Sequence, residues 1–218
     1  MSTIPFLDDE PVAVLDLNGF AVKDAAFMGL SRHGKNPYIL PNILAERLNC
    51  YHKRQGLAAT YGSYGENRGF IWRQTYLDAM ENPIHAGIDI NVPAGSLVIA
   101  DVDCEVVWVG TDHPEPHGWG NRIIVKLRGI DIWMIYAHLG APICRVGNKM
   151  GSGSPIGYVG TPHENGGWYP HLHVQAMTRQ AWEMFLADPS TIDGYYPAEQ
   201  WPRKKLLFPF PGKFICIP

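Results

Sequence analysis

Three textures of hydrophobic and polar positions follow one another along the chain. Up to about residue 80, short apolar stretches alternate with turn formers, and the clearest helix is roughly 41 to 54, PNILAERLNCYHKR, opened by Pro41-Asn42 and closed before Gly56. From about Asn82 to Met177 the pattern changes to short β-rich runs, SLVIADVDCEVVWVG, RIIVKL and IDIWMIYAHL, separated by Gly, Pro, Asn and Asp turns at intervals that suit antiparallel strands. IDIWMIYA is apolar at odd and even positions alike, which predicts a central strand covered on both faces. The tail from about Arg179 reads as one short helix, AWEMFLA, followed by an irregular strap rich in proline and aromatic residues.

The expected fold class is all-β, an antiparallel β-sandwich with a partly helical N-terminal extension. The extension covers residues 1–80, the β core 81–178, and the C-terminal helix and strap 179–218. VPAGSLVIADVDCEVVWVG at 92–110 and VGNKMGSGSPIGYVG at 146–160 each run from a glycine-bearing turn into a short apolar strand, which suggests a duplicated β unit inside the core.

Composition narrows the function classes. With 46% hydrophobic residues in 218, the chain can bury a sizeable core. Its 18 basic and 21 acidic residues form no long runs, so there is no electrostatic footprint for nucleic acid or an anionic membrane. No apolar run is long enough to cross a bilayer, and the start MSTIPFLDDEP lacks the basic and apolar regions of a signal peptide. A cytoplasmic location is expected unless the chain is trimmed or released by a route that needs no signal. Cys50, Cys104, Cys144 and Cys216 make no CxxC pair, which argues against a thiolate zinc finger and a dithiol redox site. They are expected as free thiols, with Cys104 and Cys144 acting as small apolar residues in strands.

The chemistry lies in the histidines. In an extended HAGIDI segment, His85 and Asp89 share one face while Ile88 and Ile90 point to the core, and Gly87 between them puts no side chain in the way of an ion. In PHLHVQ, His171, His173 and Gln175 share one face and Leu172 and Val174 the other. A His, an Asp and a His that leave a fourth position open form the ligand set of a catalytic zinc site, whereas structural sites are closed and thiolate-rich. His138, in YAHL at the end of the most apolar strand, is costly there without a partner and taken alone reads as a structural histidine. His33, His52, His113, His117 and His163 fall in the extension or in loops, where surface placement is the default. His163, Trp168 and Tyr169 belong to HENGGWY just before HLH, a glycine-bearing aromatic loop suited to one wall of a substrate groove or to covering the core edge.

HAGID, YAHL and HLH in this order, with GNRIIVKL before YAHL and RVGNKMGSGSPIGYVG before HLH, resemble the lysostaphin/LytM family of zinc metallopeptidases that cut peptide cross-links of bacterial cell walls. The resemblance runs from about Tyr61 to Gln175. Within that family, GSYGENRGFI, HAGIDINVPAGSLVIADVD and ENGGWYPHLHVQ look most like the peptidase-like domain found fused to class-III aminotransferases and small-molecule kinases. It implies zinc held by His85, Asp89 and His173, catalytic roles for His138 and His171, and a peptide substrate, with peptidoglycan stems or cross-bridges first.

A zinc ion with two imidazoles and one carboxylate keeps positive charge and brings the pKa of water towards about 7. His171 is then placed to accept the water proton, and His138 to stabilise the oxyanion or protonate the leaving amine, an assignment the sequence leaves open. A non-catalytic regulatory module on the same fold is disfavoured by the presence of all five polar positions. A phosphocarrier of the glucose-permease type has no use for Asp89 beside its histidines. A metallohydrolase acting on a peptide or amide outside the cell wall is favoured by the missing signal. Glu66 and Asn67, just ahead of HAGID, are also candidates to line or cover the groove and hold the site latent.

Overall fold

The computed structural model describes residues 11–29, 36–112 and 118–215. His33, His113, His117 and Cys216 lie outside them. In chain order come β1 (Val12–Val14), α1 (Leu17–Met28), α2 (Pro41–Gln55), β2 (Ala59–Gly62), β3 (Pro83–His85), β4 (Ile88–Asn91), β5 (Leu97–Ile99) and β6 (Cys104–Asp112). They are followed by β7 (Gly120–Leu127), β8 (Ile132–Leu139), β9 (Lys149–Met150), β10 (Pro155–Tyr158), β11 (Leu172–Thr178), α3 (Arg179–Ala187), β12 (Tyr195–Pro197) and α4 (Trp201–Leu207).

Eight strands form one mixed sheet in the order β1-β2-β4-β11-β8-β7-β6-β9, and two ribbons pair β10 with β5 and β12 with β3. Only β1 and β2 run parallel in the large sheet, because the chain between them crosses over through α1 and α2. β8 lies between β11 and β7, the central position that its two apolar faces require. Met134 and Tyr136 enter a core with Ile123, Val125, Val174 and Ala176 that the β5–β10 ribbon closes with Val98 and Ile156. Trp133, Ile135 and Ala137 enter a second core with Ile124 and Met177, closed by Ala181 and Phe185 of α3. Each large apolar side chain removed from water contributes about 1.5–3 kcal/mol, so this strand anchors both layers.

The all-β core is thus one large sheet with a two-stranded ribbon on one face and a helix on the other. The similar segments 92–110 and 146–160 pair with each other twice, β5 with β10 and β6 with β9. In the N-terminal region, Pro41 occupies the first turn of α2, and Gly56 ends it at φ 66 with its N–H on His52 O. α1 is a helix that the turn formers around it masked. The helices close a third cluster in which Leu17, Leu44 and Leu48 join Trp72, Trp168, Tyr169 and Tyr195, so the extension packs onto the loop before HLH. The three described cysteines are free. Cys104 opens β6, but Cys144 follows Pro142 in a segment outside any strand, since proline cannot donate to a ladder.

Candidate metal centre

His85 and Asp89 come from two short strands where one was expected. β3 pairs with β12, β4 pairs with β2 and β11, and the chain breaks between them at Ala86, whose N–H bonds Gly194 O at 2.8 Å. Asp89 lies directly opposite His173 in the β4–β11 ladder. Gly87 serves the site differently from its expected part: a Cβ there would sit 2.5 Å from His173 Cε1 and Nε2 and 2.6 Å from Val174 O. Its bare backbone makes room for the His173 ring itself.

The alternation of β8 would send His138 to the opposite face from His171 and His173. It does not, because His138 adopts φ 62. The β7–β8 register steps from Asn121↔Leu139 to Ile123↔Tyr136, so β8 carries one extra residue there. This bulge turns His138 to the histidine face and returns Leu139 to the core. A non-glycine residue in the left-handed region costs about 1 kcal/mol or more, and such strain collects at functional sites.

Three acceptor atoms converge. His85 Nε2 lies 3.1 Å from His173 Nδ1 and 3.2 Å from Asp89 Oδ1, and His173 Nδ1 lies 2.9 Å from Asp89 Oδ1. The outer atom of each group is committed elsewhere. His173 Nε2 donates to Gln175 Oε1 at 3.1 Å, and Gln175 in turn donates to Asp193 O at 3.2 Å. His85 Nδ1 faces Ser63 O at 3.5 Å, and Asp89 Oδ2 accepts from Arg68 Nη1. With both ring protons turned outward, three lone pairs about 3 Å apart are left facing one another, an arrangement that repels unless a cation sits among them. Zinc bonds of about 2.0–2.2 Å in a tetrahedron separate their donors by roughly 3.3 Å. The residues present therefore fit zinc, and a carboxylate with two imidazoles leaves one tetrahedral position open.

Electrostatics keep His85 and Asp89 deprotonated. Burial, then the Arg68 charge, push the His85 ring down to about 3. Burial alone would raise the Asp89 carboxyl, but the facing His85 ring and the Arg68 guanidinium outweigh it and hold it well below the ordinary range. Arg68, fully buried, comes from the extension, which the sequence had set apart from the site. It also donates to the Tyr195 hydroxyl at 3.1 Å, which accepts from Trp72 Nε1 at 2.8 Å, and it pairs with Glu66 at 3.4 Å.

His171 and His138 flank the three. His171 Nδ1 donates to Tyr169 O at 2.7 Å and His138 Nδ1 to Asn165 O at 2.8 Å, so each presents an unprotonated Nε2. Burial is the main cause that lowers both rings below the ordinary histidine value, His138 further still beside His171. The two ring centroids are 4.3 Å apart, and His171 Nε2 is 3.7 Å from Asp89 Oδ1. The Asn165 carbonyl is fixed by its own loop, whose Trp168 N–H and Trp168 O both bond the Asn165 side chain at 3.0 Å.

A cavity of about 720 Å3 opens over His138, His171 and His173, within the range of ligand sites. Trp168 lines it; Tyr169 stacks behind His171 at 4.4 Å and bonds Asn91; His163 is not among its lining residues. Trp72 and Tyr76 bring the extension into the wall. Glu66 accepts from the backbone N–H groups of Asn18 and Ser63, and Asn67 bonds Asn82 and the Gly69 N–H, so neither side chain joins the converging atoms. Sequence reasoning missed Arg68, Trp72, Trp119, Asn165 and Tyr195. Asn165 carried a signal, an Asn ahead of two glycines in a turn; the others stand alone in unremarkable segments.

His85, Asp89 and His173 thus form a group that could hold one metal ion, with two neutral imidazoles beside it over a cavity. The chain segment that builds it, residues 83–184, matches the profile of peptidase family M23. The resemblance read from HAGID, YAHL and HLH is thereby borne out. Among solved structures, the chain is similar to lysostaphin in solution at 28% identity, over 44% of this chain and 37% of that one, with a TM-score of 0.38. The catalytic domain of lysostaphin from Staphylococcus simulans matches at 29% identity, over 44% of this chain and 68% of that one, with a TM-score of 0.39. A zinc-containing peptidase from Vibrio cholerae matches at 27% identity, over 44% and 28% of the two chains, with a TM-score of 0.38. The chain thus spans little more than a third of full lysostaphin.

Proposed function

We propose that this protein is a zinc-dependent endopeptidase, with His85, Asp89 and His173 holding the ion and His138 and His171 moving protons. Bacterial cell-wall cross-links are the substrate class, as the motif resemblance implies. The observation that carries the reading is the convergence of three lone pairs within 3.2 Å of one another, each held in place by an outer hydrogen bond or ion pair. Gln175, Arg68 and Ser63 fix ring and carboxylate orientation as outer-shell partners of a metal do. Residues 81–178 are the core of this reading, with Trp72 and Tyr76 ahead of it and Asp188, Asp193 and Tyr195 after it lining the cavity.

When bound at these atoms, zinc supplies Lewis acidity that polarises the scissile carbonyl and lowers the pKa of water towards about 7. His171 Nε2, the nearer of the two to Asp89, accepts the first proton of the attacking water, and the Tyr169 carbonyl on its Nδ1–H stabilises the imidazolium that results. Peptide hydrolysis ends with both water protons on the leaving amine, as carboxylate and ammonium. His138 Nε2 carries the second, its ring held by Asn165 O. His138 therefore starts as a proton acceptor, and donation to the amine follows protonation. Burial of all five polar groups also disfavours the phosphocarrier reading, which needs an exposed histidine. Metal analysis of the purified full chain, with digestion of defined cross-linked muropeptides and of Gly-Gly and D-Ala peptides, tests the proposal. Stoichiometric zinc and cleavage that disappears on chelation support it; cleavage without metal contradicts it.

A further inference from the structure

One wall of the cavity over His138, His171 and His173 carries a charge that the hydrolytic reading does not use. Arg122, on β7, is only 5% exposed and lines that cavity. Its Nε and Nη1 are buried and have no hydrogen-bond partner among the described residues. Its guanidinium carbon lies 5.0, 5.2 and 5.3 Å from the ring centroids of Trp108, Trp119 and Phe185. Those faces attract the cation but accept none of its five N–H groups in line. Asp112, whose charge acts on Arg122, is exposed and accepts from the Trp119 backbone N–H at 3.4 Å. Two buried guanidinium nitrogens without acceptors are costly, and the planar fork they belong to matches a carboxylate.

Its position ties it to the chemistry. The Trp119 indole that meets Arg122 also meets the His173 ring edge-on at 5.4 Å, and Trp119 O accepts the His138 backbone N–H at 3.0 Å. One indole thus spans the gap from Arg122 to the imidazoles, and a peptide advances at most about 3.3–3.6 Å per residue.

We propose that Arg122 is the receptor for a carboxylate of the substrate, a free C-terminus or an acidic side chain, placed within about three residues of the scissile bond. The proposal rests on the peptidase reading and adds specificity to it: the site prefers peptides with an anionic group close to the cut.

The test uses the zinc-loaded full chain and two matched pairs, tetra-alanine as free acid and C-terminal amide, and the amide with Glu or Gln in its last position. In at least one pair the carboxylate form is expected to be preferred about ten- to a hundredfold in kcat/KM, the pair identifying the source. Arg122→Gln is expected to reduce that preference to within a few fold. Arg122→Lys, which keeps the charge and loses the fork, is expected to lower it severalfold, and it decides the matter if the Gln variant does not fold. Equal kcat/KM within both pairs, or a preference unchanged in the variants, overturns the proposal. If the wild type cuts none of these peptides, calorimetric binding of the same pairs separates the two ideas. Tighter binding of a carboxylate form that Arg122→Lys weakens upholds the receptor while the peptidase reading fails, and equal or absent binding overturns the receptor.

Discussion

Replacing Gly87 by alanine is expected to release zinc while leaving the rest of the fold in place. The new Cβ would stand 2.5 Å from two atoms of the His173 ring and 2.6 Å from Val174 O. To regain a 3.4 Å contact the ring has to move by roughly 0.9 Å, several times the ~0.2 Å tolerance of a zinc–ligand bond. The backbone oxygen cannot yield without opening the β4–β11 ladder, so the ring takes most of the displacement. Zinc affinity should fall at least about a hundredfold, the upper end of what losing one supporting hydrogen bond does, and overpacking should cost about 1–3 kcal/mol of metal-free stability. Competition against a fluorescent chelator measures the first and chemical denaturation the second. Gly157→Ala, whose Cβ meets nothing nearer than Leu139 Cδ1 at 3.6 Å, is the control. Zinc affinity within threefold of wild type in Gly87→Ala would refute the geometry of the site.

His85→Ala and His173→Ala should lose stoichiometric zinc, whereas His138→Ala should keep zinc and lose about a hundred- to ten-thousandfold in kcat; metal analysis beside peptide turnover separates the two classes. Gln175→Leu frees the His173 Nε2–H and should weaken zinc about ten- to a hundredfold, seen in the same chelator competition. Arg68→Met leaves Asp89 and Glu66 buried without their cation and should cost the metal-free protein about 3–5 kcal/mol in denaturation; a loss under 1 kcal/mol would speak against the ion pair as drawn. Metal-free stability should be level above pH 6.5 and fall below it, because the unfolded chain takes up protons that buried His85, His138 and His171 refuse. His85 alone contributes about 1.4 kcal/mol per pH unit until pH approaches about 3. A flat denaturation free energy between pH 7 and 5 would contradict the buried neutral histidines.

Much of the site was legible because period-two alternation does the placing. Asp89, His171, His173 and Gln175 sit at odd positions of extended segments, and their even neighbours Ile88, Ile90, Leu172 and Val174 all enter one core, whereas His85 reaches them across the break at Ala86, which enters the other. The two-faced apolar run of β8 and the Pro- and Gly-bounded α2 were readable for the same local reasons. What sequence could not show arises where local rules are broken or where distant segments meet. Alternation puts His138 on the wrong face, and only the bulge at φ 62 reverses it. Arg68 and Tyr195, 127 residues apart, meet only through the packing of the extension and tail around β3 and β4. The partition into extension and core followed composition, which cannot register one buried cation reaching across the boundary to a carboxylate.

Zinc dependence is measured by titrating zinc into the metal-stripped full chain while following hydrolysis of a cross-linked muropeptide. Activity is expected to rise linearly, to saturate at one zinc per chain, and not to be restored at stoichiometric zinc in His173→Ala. Turnover by the metal-free protein, or a His173→Ala titration that matches wild type, would contradict it.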